Sequence, residues 1–264
     1  VDLEFGRGDV VKDTHWLLGL FARFKVSATF FCVGEVARAH PRLLREIAAA
    51  GHDIGFHGES HCFLNTLTPG QFARELQRSV PFLEDLVQRT VSGYRAPFFS
   101  LTPKTSWALD VLAEAGIRYD GSIYPSWHDR YGWPGAPRLP SRYRDTPLML
   151  FPVPLLHPLV PIGFSGGGYL RLLPWRVIRW GTRHHRAKGR PGMIYVHPWE
   201  VSTRPPVWPG HSLGREWTHL PRWRELPQRL LWMIESEHQR CQPMRQVLEA
   251  QTRLPTWTPQ PRLP

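Results

Sequence analysis

Two imidazoles four residues apart, in His57-Gly-Glu-Ser-His61, are the groups in this 264-residue chain best suited to chemistry. They follow the run His52-Asp-Ile-Gly-Phe56, which reads as a strand. A helical turn after Phe56 would put residues i and i+4 on one face, where both rings reach one ion. Two His, one carboxylate and an open position for water make a catalytic zinc site. A zincin helix is excluded, because that motif needs Glu directly after the first His and Gly58 stands there. The alternative is two polar residues in a surface turn, and the rest of the chain has to decide.

The elements that must position these rings alternate between short apolar strands and amphipathic helices. The spacing predicts a helix over 9–24, a buried strand over 26–33, a helix over 35–50 ended by Gly51, and the strand 52–56. Thr68 and Pro69 open a helix running to Val87. The strand 91–94 then delivers Arg95-Ala-Pro97; a helix over 103–115 precedes the strand 117–119, which delivers Asp120. A candidate strand at 148–151, the loop Ser165-Gly-Gly-Gly-Tyr169 and a helix over 174–184 lead to the strand 193–196, which delivers His197. A last helix covers 226–237, and the Pro- and Arg-rich tail from Gln251 reads as disordered. Each polar residue of interest thus stands just past the C-terminal end of a strand, and in a parallel β/α barrel those ends share one rim. The expected fold is α/β, a distorted (β/α) TIM-like barrel of about seven parallel strands. Its expected limits are 1–200 for the barrel, 201–250 for a C-terminal helical extension and 251–264 for the tail.

Bulk properties narrow the partners. Lys and Arg total 33 against 22 Asp and Glu, a formal net charge of +11. That excess suits an anionic partner such as an acidic polysaccharide, a phosphate-linked carrier, a membrane face or nucleic acid, or else a diffuse basic surface with no partner. One dense cluster stands out, Arg183-His-His-Arg186-Ala-Lys-Gly-Arg190, and it also reads as cations at a helix C-terminus. No nucleic-acid motif accompanies it. Three scattered cysteines, Cys32, Cys62 and Cys241, give no disulfide framework and fit a reducing compartment. The expectation is a cytoplasmic protein, with contact at the inner face of the membrane.

Five stretches complete the pattern: Asp2-Leu-Glu4, His57-Gly-Glu-Ser-His61, Tyr94-Arg-Ala-Pro-Phe-Phe99, Tyr119-Asp-Gly-Ser-Ile-Tyr124 and Tyr195-Val-His-Pro-Trp199. In this order they resemble the polysaccharide deacetylases of the NodB-homology type, carbohydrate esterase family 4. Ala28-Thr-Phe-Phe31, Gly51-His-Asp53 and Ser165-Gly-Gly-Gly-Tyr169-Leu-Arg-Leu-Leu-Pro174 are similar to the branch tied to exosortase-associated exopolysaccharide loci. The resemblance implies a NodB-type barrel and hydrolysis of an N-acetyl amide on a sugar of a poly- or oligosaccharide. It makes Asp2 the base and His197 the acid, with Arg95 orienting Asp2. Asp120 would fix the tautomer of His197, and the Phe98 N–H would stabilise the oxyanion. His57 and His61 would be metal ligands, zinc by default, with cobalt or nickel as alternatives.

The third ligand departs from the family pattern of adjacent Asp residues, because Leu3 follows Asp2. Residues i and i+2 of a strand share a face, so Glu4 takes the ligand place; Asp9, otherwise an N-cap, is the weaker substitute. Tyr94, Pro97, Tyr169 and Trp199 are the candidate substrate-binding residues, with Trp127, Trp199 and Tyr169 as a sugar platform or as core packing. Three other readings stay open: a catalytically silent carbohydrate binder, a hydrolase of another non-peptide C–N bond, and a basic nucleic-acid or membrane-surface binder resting on net charge.

Overall fold

The computed structural model describes residues 1–5, 9–128, 131–203, 222–251 and 253–259. Its wall is built from β1 (Asp2–Leu3), β2 (Thr29–Cys32), β3 (Asp53–Phe56), β4 (Gly93–Tyr94), β5 (Tyr119–Asp120), β6 (Ser141–Tyr143) and β7 (Met149–Leu150). The order is β1-β2-β3-β4-β5-β7, each pair parallel, and β6 then pairs antiparallel with β7. The stretch 193–196 closes the wall as an isolated bridge rather than a regular strand. Within it the Asp2 N–H donates to the Val196 carbonyl at 3.0 Å, and Tyr195 bridges to Gly166. The molecule is therefore an α/β barrel-like fold with a mostly parallel sheet.

Strand alternation divides the core in two. Phe31 and Tyr119 belong to an inner cluster with Tyr195 and Met193, while Leu3, Phe30, Cys32 and Phe56 pack outward against the helices. Two glycines make room in the lumen. A Cβ at Gly55 would lie 2.6 Å from Phe31 Cδ1, and one at Gly93 would lie 2.1 Å from Tyr119 Cζ. Two residues beyond Gly55, Gly93 and Tyr195 come His57, Arg95 and His197, one pleat nearer the rim. Periodicity thus converts buried strands into a ring of polar side chains.

Around the sheet run α1 (Val10–Phe24), α2 (Gly34–Ala39), α3 (Pro41–Ala49), α4 (Pro69–Val87), α5 (Trp107–Glu114), α6 (Gly167–Leu172), α7 (Trp175–Ala187), α8 (Leu226–Glu237) and α9 (Met244–Glu249). Asp9 caps α1, its side chain accepting from the Val11 and Lys12 amides at 3.1 Å, which is the N-cap use of that residue. Thr68 opens α4 through a capping box with Gln71. The single helix expected over 35–50 is two, because Pro41 bars helical geometry at His40, whose φ is −130° and ψ 56°. The helix expected over 103–115 likewise starts as a 3-10 turn, Pro103–Thr105, before α5.

Three elements escape the sequence pattern. A hairpin of β8 (Leu155–His157) and β9 (Val160–Gly163) forms where prolines argue against strands. Helix α9 covers the N-terminal end of the barrel, its Met244 N–H donating to Thr29 Oγ1 at 2.9 Å. Thr256 and Trp257, placed by composition in a disordered tail, instead form β10, parallel to β6. Within the expected extension at 201–250 the described residues form α8 and α9, while residues 204–221 lie outside the described residues.

Candidate metal and hydrolytic site

The expected helical turn after β3 is absent. The chain bends instead, with Gly58 at φ +78° and His61 at φ 54°, and these left-handed positions carry the second ring back beside the first. The ring centroids of His57 and His61 stand 5.1 Å apart. Gly58 faces Pro97, and a Cβ there would lie 3.2 Å from Pro97 Cγ.

Glu4 joins the two imidazoles, so that one ligand atom from each of Glu4, His57 and His61 lies within 4.8 Å of the others. Buried His57 bonds the Arg95 carbonyl through Nδ1 at 2.7 Å, which directs Nε2 to the cluster. His61 Nε2 lies 2.5 Å from Glu4 Oε2. Trp199 donates its Nε1–H to Glu4 Oε1 at 3.1 Å and is itself buried. Burial opposes ionisation of Glu4, but His197 and His61 outweigh it and hold the carboxyl at about 2. Two imidazoles and an ionised carboxylate, with one ring already oriented from behind, are the donor set that a zinc-class cation takes.

Asp2 lies one pleat deeper. Arg95 Nη1 donates to Asp2 Oδ1 at 2.7 Å, with both side chains buried. Burial would raise the Asp2 carboxyl, yet Arg95 and His57 hold it well below the usual carboxylate range. Arg95 is fixed on its other sides by the Gly121 carbonyl at 3.1 Å and the Phe31 ring at 4.4 Å. His197 faces the same space, its Nε2 3.8 Å from Asp2 Oδ2 and 4.0 Å from Glu4 Oε1. Burial lowers its pKa, against the pull of Glu4 and Asp2.

The partner of His197 is not Asp120. Glu200 Oε2 accepts from the His197 backbone N–H at 2.9 Å and meets Nδ1 at 3.0 Å. Pro198 starts a 3-10 turn that curls Glu200 back onto its own cap residue. Behind Glu200 sits Arg171 of α6, ion-paired to its other oxygen, with both side chains essentially inaccessible. Asp120 is used elsewhere. It accepts from the amide and hydroxyl of Ser122, and that hydroxyl accepts from the Ala96 N–H at 2.7 Å, so Asp120 fixes the 95–97 loop. Burial pushes its carboxyl up to about 6.

The expected substrate-binding residues fall differently. Tyr94 points outward into the core, its ring 5.2 Å from Phe72 and 6.0 Å from Phe56, as alternation next to inward Arg95 requires. Trp199 is a support for Glu4 and stacks on His197 at 5.5 Å rather than offering an open platform. Tyr169 stacks on Tyr124, with their hydroxyls 2.8 Å apart. Pro97 lines the loop opposite Gly58, as above. The exposed Trp127 has no described contact with the cluster. One aromatic surface was missed: the exposed Phe98 ring stacks on Phe63 at 4.3 Å and stands 4.5 Å from His61. Phe98 has φ 56°, a strained value for a bulky residue, in the loop that also carries its amide.

Comparison with known proteins divides the chain at residue 120. Residues 3–119 match the family model described as polysaccharide deacetylase, and residues 121–249 match a domain of unknown function, DUF3473. The first match contains Glu4, His57, His61 and Arg95, and the second contains Arg171, His197, Trp199 and Glu200. A peptidoglycan deacetylase of Helicobacter pylori is 32% identical over 107 residues, 40% of this chain and 36% of that one. The chain thus matches little more than a third of that relative's length. A crystal structure from Mycobacterium smegmatis, provisionally assigned as a polysaccharide deacetylase, superposes with a TM-score of 0.66 at 25% identity. It covers 95% of this chain and 82% of the other. PuuE allantoinase shares the fold at a TM-score of 0.58 and 19% identity, over 88% of this chain and 68% of its own.

Proposed function

We propose, from a chain whose residues 3–119 form a domain of the polysaccharide deacetylase (NodB, carbohydrate esterase family 4) type, that this protein is a metal-dependent hydrolase of non-peptide C–N bonds. Its substrate is an N-acetyl sugar within a polysaccharide or its precursor, in exopolysaccharide metabolism, and its products are the free amine and acetate. The observation that carries the reading is the convergence of Glu4, His57 and His61 within 4.8 Å, flanked by Asp2 and His197.

A sugar acetamide is a poor electrophile, so hydrolysis needs a polarised carbonyl, an activated water and a protonated leaving nitrogen. Glu4, His57 and His61 would hold a divalent cation, zinc by default, which would supply Lewis acidity toward the carbonyl and acidify water. Asp2, kept ionised by Arg95, takes the water proton. The Phe98 N–H donates to the oxyanion. His197, protonated at both ring nitrogens, gives its Nε2 proton to the departing amine, while its Nδ1–H stays bonded to Glu200. The exposed Phe98 and Phe63 rings offer a face on which a pyranose ring stacks.

Metal analysis coupled to acetate release from a panel of N-acetylated oligosaccharides tests the reading. Activity surviving exhaustive chelation would remove the metal role. A stoichiometric cation without acetate from any glycan would favour a carbohydrate-binding relative. Turnover of a cyclic amide or ureide without acetate would favour hydrolysis of a different C–N bond. The same reading assigns the cation excess to peripheral contact with an anionic membrane or carrier lipid at the cytoplasmic face.

A further inference from the structure

Among the described residues no helix is long and apolar enough to cross a membrane. From Thr146 to Trp199 the chain carries no Asp or Glu, while seven Arg or Lys fall in the same stretch. Arg171 is paired with buried Glu200 and Arg186 with Glu237, and the other five cations of the run build a positive field that no carboxylate of the same segment cancels.

The hairpin β8–β9 and helix α7 belong to this run, and they present an apolar tip beside basic side chains. Leu159 is 85% exposed, Val160 45% and Trp180 48%. His157 joins the two elements, its ring 6.0 Å from Trp180 and 5.6 Å from His184. Arg176, Trp180 and Arg183 stand four and three residues apart on α7, hence on one helix face, and both arginines are exposed. Exposed Arg138 reaches the tip from another loop, its Nη1 donating to the Pro158 carbonyl at 3.4 Å.

We infer that the tip 157–161 and the Arg176–Trp180–Arg183 face of α7 form a docking surface for an anionic phospholipid bilayer. Backbone chemistry favours a bilayer over nucleic acid or a soluble polyanion. Pro158 and Pro161 have no N–H to desolvate, and the Leu159 N–H already donates to His157 Nδ1 at 3.2 Å. The tip can therefore enter the headgroup boundary without stranding these donors. Leu159, Val160 and the indole of Trp180 gain from leaving water there, and the arginines meet lipid phosphate. A phosphate backbone alone gives Leu159 and Val160 nothing to bury against. This inference rests on the peripheral-contact part of the reading above and not on its chemistry, so loss of either leaves the other standing.

The experiment is flotation of the full chain with vesicles of phosphatidylcholine alone and of phosphatidylcholine mixed with phosphatidylglycerol. Binding is expected to the mixed vesicles only. Leu159→Ser/Val160→Ser should weaken it about tenfold or more, since two apolar side chains lose their buried site. Arg176→Ala and Arg183→Ala should each weaken it about fivefold and flatten its salt dependence. Acetate release and circular dichroism of these variants should match the parent. Equal binding to both vesicle types overturns the inference, as does mixed-vesicle binding that Leu159→Ser/Val160→Ser leaves intact. Binding to heparin or duplex DNA with no vesicle binding overturns it as well.

Discussion

Glu200→Gln is the substitution on which the assignment of the acid turns. The change keeps shape and removes charge, leaving Arg171 buried opposite a neutral amide. Breaking one side of a buried ion pair costs about 3–5 kcal/mol, of which a retained Gln acceptor on the His197 N–H returns about 1 kcal/mol. The net loss of roughly 2–4 kcal/mol should lower the melting temperature by about 5–15 °C in a domain of this size. Activity should fall separately, by about 10–100-fold in kcat with KM little changed, because Nδ1 loses the carboxylate that orients the ring. Arg171→Met/Glu200→Gln separates the two effects. With no charge left buried, stability should return to within about 1–2 kcal/mol of the parent, while kcat stays low. Urea unfolding and acetate release, each on metal-saturated protein, read both quantities. A Glu200→Gln enzyme within about twofold of the parent kcat would remove Glu200 from the positioning of His197, a twofold change being less than 1 kcal/mol. Recovery of kcat together with stability in the double variant would show that the loss was general unfolding.

Trp199→Phe keeps a ring on His197 but deletes the donor to Glu4, so cation affinity should fall about 10–100-fold in a competition titration, with a stability loss of about 1–2 kcal/mol from the smaller buried ring. Gly58→Ala forces a side chain into a left-handed position 3.2 Å from Pro97 Cγ and should cost about 1–3 kcal/mol, read by unfolding, together with weakened cation binding. Asp120 titrates near pH 6 when folded against an ordinary value of 3.8, so the native state holds its proton more tightly. Its contribution to stability is fully present below about pH 4 and is lost as pH rises through about 6, to a total of roughly 3 kcal/mol. Asp120→Asn should therefore gain on the parent between pH 4 and pH 7 in urea unfolding; an unchanged difference would place the carboxyl's pKa elsewhere.

The grouping of Glu4, His57, His61, Asp2 and His197 was legible because it follows from two local rules. Polar residues just past parallel strands share a rim, and alternation turns Asp2 and Glu4 the same way. The same alternation, applied to Gly93-Tyr94-Arg95, would have sent Tyr94 outward once Arg95 was taken as inward. The exchange of Asp120 for Glu200 was harder to read. Both acids occupy suitable places, and only the turn after Pro198 decides which reaches His197. A signal did exist, since His197-Pro-Trp-Glu200 has the spacing of a cap and its third helical residue, with Pro at the first. Arg171 left no local trace, its partner lying far along the chain. Short pairings such as Thr256–Trp257 carry too few residues for any periodicity to register.

Every proposed cation ligand lies within the first 61 residues, while His197 and its supports come after residue 170. A ribosome releasing this chain from its N-terminus therefore exposes the ion-gripping portion long before the proton donor exists. Fragments ending before α6 would keep the three ligand residues but lack both Trp199, which supports Glu4, and His197, and so would be incapable of the proposed turnover. On the proposed chemistry, both cation grip and hydrolytic competence are thereby tied to synthesis having passed Glu200.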